Sequence, residues 1–230
     1  MPADGPSFAA GRFISFEGGE GTGKSTQVAR LAARLRQHGL EVVATREPGG
    51  SPGAEAVRHV LLSGAAKPLG PMAEAVLFAA ARADHLSATI RPALARGAWV
   101  ISDRFADSTR VYQGVLGNID AGLIRALERV TVGTTRPHLT VVLDLPAEVG
   151  LARAAARSAG PADRFEGEEL AFHRSLRAAF RELAEREPER CVLIDGAGDS
   201  DAVAQAVWHA VGARLPLPQA EGLRRAGGQG

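Results

Sequence analysis

A chain of 230 residues, 45% apolar and 23% charged, has the length and composition of one globular domain with a substantial core. A formal net charge of +1 gives no reason to expect a nucleic-acid polymer or a membrane as partner, and a single cysteine excludes a disulfide framework within the monomer. No apolar run nears the roughly 18 residues of a membrane span, and the first residues lack the pattern of a secretion signal, so a cytoplasmic setting is expected.

After a flexible extension expected over 1–11, a short apolar strand at Arg12–Glu17 runs into Gly18-Gly19-Glu20-Gly21-Thr22-Gly23-Lys24-Ser25-Thr26. The spacing G-x-x-x-x-G-K-S predicts a loop whose backbone N–H groups turn inward onto phosphate oxygens. Lys24 adds a positive charge for the β- and γ-phosphates, Ser25 offers a hydroxyl to Mg²⁺, and a helix over 24–38 presents its positive end. Only Lys24 and Lys67 are lysines, so Lys24 stands where arginine was not used. The loop implies binding of a nucleoside triphosphate.

Further strands are expected at Glu41–Thr45, Ala98–Ser102, Leu139–Leu145 and Cys191–Asp195. Helices are expected at about 53–63, 71–96, 120–132, 147–157, 167–187 and 199–213. Apolar strands alternating with helices predict an α/β fold: a five-stranded parallel sheet covered on both faces, of the P-loop NTPase class. Ligands then gather beyond the carboxyl ends of the strands. There the sequence places Arg46-Glu47-Pro48-Gly49-Gly50, then Asp103-Arg104-Phe105, and an arginine-bearing segment after the fourth strand.

Asp103 at a strand tip suits a magnesium ion held through water, and Arg104 suits a bidentate grip on an acceptor phosphate; alone, the pair also fits a strand-end salt bridge. Phe78 and Arg82 lie four apart on one helix face, where a ring can stack on a base and an arginine donate to it, although such a phenylalanine also fits a core. Arg153 and Arg157 share a helix face and Arg164 follows a Gly-Pro break, suggesting a short lid over about 157–165. The kinase domain is expected over 12–214, and Pro, Gly and Ala enrichment over 215–230 predicts a disordered tail.

Several segments, in order, resemble the thymidylate kinases of bacteria. They are Phe16-Glu17-Gly18 with the loop, Thr45-Arg46-Glu47-Pro48-Gly49-Gly50, Leu77–Arg82, Asp103-Arg104-Phe105, Ser108–Gly114 and Arg136–Thr140. The resemblance runs from about Arg12 to Ala213. It implies ATP-dependent phosphorylation of dTMP, with Mg²⁺, in a homodimer packed through helices. Residues 18–26 with Arg153 and Arg157 would then hold ATP. The acceptor would be bound by Glu20, Glu47, Arg58, Phe78, Arg82, Arg104, Thr109, Tyr112 and Gln113. Ser25 and Asp103 would support the metal, and Lys24, Asp103, Arg104 and Arg157 the transfer. The same resemblance puts Tyr112, the only tyrosine, beside the deoxyribose and Glu20 near the 3′-hydroxyl.

One branch of the family carries an arginine in the loop immediately after the acid. That position here is Gly21, so a lid arginine, Arg157 first, is expected to supply the missing charge. Other P-loop kinases of nucleoside monophosphates or small molecules are the nearest alternative. A GTPase-type switch would need an Asn-Lys-x-Asp guanine clamp, and neither lysine stands in one.

Overall fold

Five parallel strands, β1 (Phe13–Glu17), β2 (Val42–Arg46), β3 (Trp99–Asp103), β4 (Leu139–Asp144) and β5 (Cys191–Asp195), form one sheet in the order β2-β3-β1-β4-β5. The structure is a computed structural model and describes residues 11–157, 165 and 167–217. The central strands are buried on both faces, as their unbroken apolar runs predict.

Helices α1 (Lys24–Gln37) and α9 (Ser200–Arg214) cover one face, packing on Ile14, Phe16, Ile101 and Val141. The other face meets α3 (Gly70–His85), α4 (Arg91–Ala95), α5 (Ala106–Thr109) and α8 (Leu170–Arg186). The remaining helices are α2 (Pro52–Leu62), α6 (Ala121–Thr131) and α7 (Ala147–Arg157). No helix among the described residues is long and apolar enough to cross a membrane.

The predicted helix over 71–96 is present as α3 and α4 joined through a π-helical turn, Leu86–Ile90. The wider turn precedes Pro92, which lacks a backbone N–H and crowds the carbonyl four residues earlier. A helical segment that the periodicity does not predict follows β3: α5 runs directly into a π-helical stretch, Arg110–Leu116.

Two predicted edges move. Gly11 is packed, with Ala98 O only 2.7 Å from where its Cβ would stand. At the other end Leu215 is 6% exposed in the core beneath α9, with Leu217 packed against the same cluster, so the fold extends past the predicted limit at 214. A leucine in the core outweighs the local Pro, Gly and Ala composition. The rest of the predicted tail, and the lid between Arg157 and Phe165, lie outside the described residues.

Candidate active site

The order β2-β3-β1-β4-β5 reverses direction at β1, and the phosphate loop lies at that switch point, beyond the strand ends. Its glycines are required by space. Gly18 has φ +130°, and a Cβ there would stand 2.4 Å from Leu143 O; Gly21 has φ +66°, and its Cβ would stand 1.9 Å from Gly150 O in α7. The loop is therefore pressed between β4 and α7, and an arginine at position 21 has no room. Lys24 is buried and donates to Gly18 O at 3.1 Å and Gly19 O at 2.6 Å. Burial, with Arg104 nearby, lowers its pKa to about 8. The Ser25 hydroxyl donates to Asp103 Oδ2 at 2.5 Å, bringing the two predicted metal residues together.

The groove around Lys24, Ser25 and Asp103 adjoins a second cleft, and Glu20, Glu47, Arg58 and Arg104 line both. Phe78, Arg82, Thr109, Tyr112 and Gln113 line the second cleft, so the sequence-predicted acceptor residues converge there from four segments. Thr109 ends α5, and Tyr112 and Gln113 stand on the π-helical stretch that follows.

Arg104 joins the two spaces. Its backbone is left-handed, φ +67°, and its guanidinium donates to Glu20 Oε1 at 2.5 Å and to Gly18 O and Ser108 Oγ at 3.3 Å each. Tyr112 also donates to Glu20 Oε1, at 2.8 Å. Burial alone would push the Glu20 carboxyl up, but Arg104 and Lys24 outweigh it and hold it near 2. Burial raises the Tyr112 phenol well above its ordinary range. Glu20 is thus a carboxylate, and Tyr112 a neutral donor, at neutral pH.

A buried network supports the base end of the cleft. Glu47 accepts from Arg82 Nε at 2.7 Å and pairs with His85 Nδ1 at 3.0 Å, while Arg82 also donates to Thr109 Oγ1 at 3.0 Å and Phe105 O at 3.3 Å. His85 Nε2 meets Thr45 Oγ1 at 2.8 Å, tying α3 to β2. Gly50 packs against this pair, since its Cβ would lie 2.4 Å from both His85 Nε2 and Thr45 Oγ1. Arg58 donates to Pro48 O at 2.6 Å, reaching the cleft from α2.

Arg153 has a different occupation from the one expected. It donates to Gly196 O at 2.9 Å and Ala197 O at 3.3 Å, bracing the loop after β5, where a Cβ on Gly196 would stand 3.5 Å from Thr22 O of the phosphate loop. Arg157 ends α7 in backbone, and the side chain of Arg157 and the whole of Arg164 lie outside the described residues.

Sequence reasoning assigns no role to His85, Glu17, Ser108 or Phe165. His85 is fully buried, three residues after Arg82 on the same helix face, a spacing that could have revealed it. Phe165 lines the cleft with its ring 5.2 Å from that of Tyr112 and 6.4 Å from that of Phe78. Among the described residues no group of three or more His, Cys, Asp or Glu side chains is arranged to hold a metal alone.

The family model described as thymidylate kinase matches residues 16–207. A thymidylate kinase of Bradyrhizobium diazoefficiens is 60% identical over 214 residues, 92% of this chain and 94% of that protein. One from Nitrobacter winogradskyi is 61% identical over 202 residues, 87% of this chain and 88% of its own. Among solved structures, the thymidylate kinase of Ehrlichia chaffeensis superposes with a TM-score of 0.70 at 32% identity, covering 88% of this chain and 99% of that one.

Proposed function

This chain belongs to the thymidylate kinase family and transfers a phosphoryl group from ATP to dTMP, a step toward dTTP, and we propose that its two adjoining cavities divide that work. The phosphate loop and Lys24 hold the triphosphate, and the second cleft holds dTMP. The observation that carries the reading is their junction: Glu20, Glu47, Arg58 and Arg104 line both spaces. A donor and an acceptor seated there meet at Arg104.

In this reading Phe78 stacks on thymine, while Arg82, Thr109 and Gln113 address the edge of the base. Arg104, with Arg58, draws the acceptor phosphate toward the loop and offsets the repulsion between two anions. A phosphate oxygen of dTMP then attacks the γ-phosphorus, the bond to the β–γ bridging oxygen breaks, and ADP and dTDP result. Glu20 fixes Arg104 and Tyr112 on one carboxylate oxygen, which supports a place for Tyr112 beside the sugar.

Ser25 and Asp103 fit a magnesium ion, because one hydroxyl and one carboxylate leave most of its positions to water and phosphate, as that ion favours. A bound Mg²⁺ would neutralise phosphate charge during transfer. Gly21 leaves the extra arginine to the lid, and we assign it to Arg157. Arg153, spent on Gly196 and Ala197, has a supporting part.

The kinase domain is proposed to run from about 12 to 217. A homodimer is proposed through α3 and α6, which pack together and expose Met72, Val76 and Val130. The cytoplasm is the proposed setting. Incubation with ATP and magnesium across dTMP, dUMP, dCMP, AMP and GMP tests the acceptor assignment: ADP should form fastest with dTMP, and faster turnover of AMP, GMP or dCMP would overturn it.

A further inference from the structure

Glu17 is fully buried at the end of β1, on the sheet face that meets α5, and neither ATP nor acceptor is assigned to it. Its two carboxyl oxygens serve different parts of one neighbour. Oε1 accepts from the backbone N–H of Phe105 at 2.8 Å, immediately after the left-handed Arg104. Oε2 accepts from the Ser108 hydroxyl at 2.6 Å, and that oxygen in turn accepts from Arg104 Nη1 at 3.3 Å. One arm therefore fixes the backbone turn that carries Arg104, and the other reaches its guanidinium through a single hydroxyl. The Ser102 hydroxyl completes the strap by donating to Arg104 O at 2.7 Å.

A non-glycine residue at φ +67° persists only where surrounding bonds over-determine it. Relaxation of the turn to an ordinary conformation would swing the guanidinium away from Glu20 and Gly18. We infer that Glu17, acting through Phe105 N–H and Ser108, is the positioning residue that holds Arg104 ready for the acceptor's phosphate group. The inference rests on the assignment of Arg104 to that phosphate, and it predicts a defect confined to the phosphate end of the ligand.

The test compares binding of dTMP with that of thymidine, the same base and sugar without phosphate, by titration calorimetry without ATP. Arg104→Ala should sharply reduce the preference for dTMP over thymidine. Glu17→Gln, compared with the parent at pH 9 where the carboxyl is ionised and accepts at both oxygens, places an amide N–H₂ against one of the two donors and should reduce the same preference about 3- to 10-fold, the scale of a lost hydrogen bond. Ser108→Ala should do likewise through the second arm alone, and it decides the matter should Glu17→Gln fail to fold. Thymidine affinity should stay within about twofold in all three, because the base end is held by other residues.

A preference that survives both Glu17→Gln and Ser108→Ala while Arg104→Ala destroys it would overturn the inference about Glu17. Equal weakening of dTMP and thymidine would also overturn it, reducing Glu17 to a support of the fold. A preference untouched by Arg104→Ala would instead remove the phosphate assignment, and the inference with it.

Discussion

Arg104 Nη2 lies 2.5 Å from Glu20 Oε1, a link between the end of β3 and the phosphate loop at the point where the two cavities join. Both side chains are largely shielded, and the carboxylate is held near pKa 2, so neither charge is lost at neutral pH. An acid inside a loop for triphosphate costs electrostatic energy by itself. Its pairing with Arg104 offsets that cost, and the same carboxylate oxygen orients both Arg104 and Tyr112.

A side chain at position 21 would collide with Gly150 O, and on the proposed reading the extra positive charge comes from the lid. Arg157→Ala should therefore lower kcat by about 10²- to 10³-fold with little change in dTMP affinity, its charge meeting the phosphates chiefly during transfer. Arg153→Ala should instead raise KM for ATP a few-fold with kcat retained, because it loosens the loop at Gly196, whose Cβ would come within 3.5 Å of Thr22 O. Steady-state kinetics on the two variants check this, and a silent Arg157→Ala would send the search to Arg164.

Tyr112 offers a ring and a hydroxyl with separable uses. The ring packs edge-on against Phe165 and Phe180, and the hydroxyl holds Glu20. Tyr112→Phe should lower kcat/KM for dTMP and for its ribose counterpart alike, by about 3- to 10-fold for one hydrogen bond. Tyr112→Ala should also narrow the preference for the deoxy acceptor by about 10- to 100-fold, since the ring no longer excludes a 2′-hydroxyl. Ratios of kcat/KM for both acceptors provide the measurement.

The phosphate loop was legible because its chemistry is local. Glycine spacing before Lys24 signals phosphate binding from a few neighbouring residues, whereas Asp103-Arg104 and Phe78 with Arg82, each open to a structural use, took their proposed roles from the family resemblance. The helical segment 106–116 was not legible, because its buried residues mix Asp107, Thr109, Tyr112 and Gln113 with only Ala106 and Val111, too few apolar positions to carry a period. Glu17 and His85 escaped for a related reason. The partners that give each its use, Ser108 and Glu47, are distant in sequence. The bond from Arg153 to Gly196 O depends on the β5–α9 loop, which no local pattern places.

Glu17 should leave a signature in stability against pH. Burial first, then the nearby Asp107 carboxylate, raise its pKa from 4.5 to about 8, against the opposing Arg104 charge and the donors Ser108 and Phe105 N–H. Asp107 is itself neutralised by Arg190 and Arg110, and Lys24 is a further cation on that side. A raised folded pKa means that the folded state binds the extra proton, so this contribution is fully present below about 4.5 and is lost as pH rises through about 8. The Tm difference between parent and Glu17→Gln should therefore shift in favour of the variant from pH 6 to pH 9. A pH-independent difference would contradict the shift.

The C-terminal edge makes a simpler prediction. Removal of 218–230 should leave Tm unchanged, given their composition. Removal from Leu215 onward takes a side chain that is 6% exposed out of the core, a loss of about 2 kcal/mol, which should lower Tm by about 4–8 °C. Thermal denaturation of the two truncations distinguishes them.

The central claim is that donor and acceptor occupy one continuous site meeting at Arg104. A ligand joining adenosine to thymidine through a chain of phosphates tests it most directly, by calorimetry and by competition with each substrate. It should displace both ATP and dTMP and bind at least about 10²-fold more tightly than either, because the second half binds at the effective concentration set by the link. A ligand that displaces only one substrate, or binds no better than ATP alone, would contradict a continuous site.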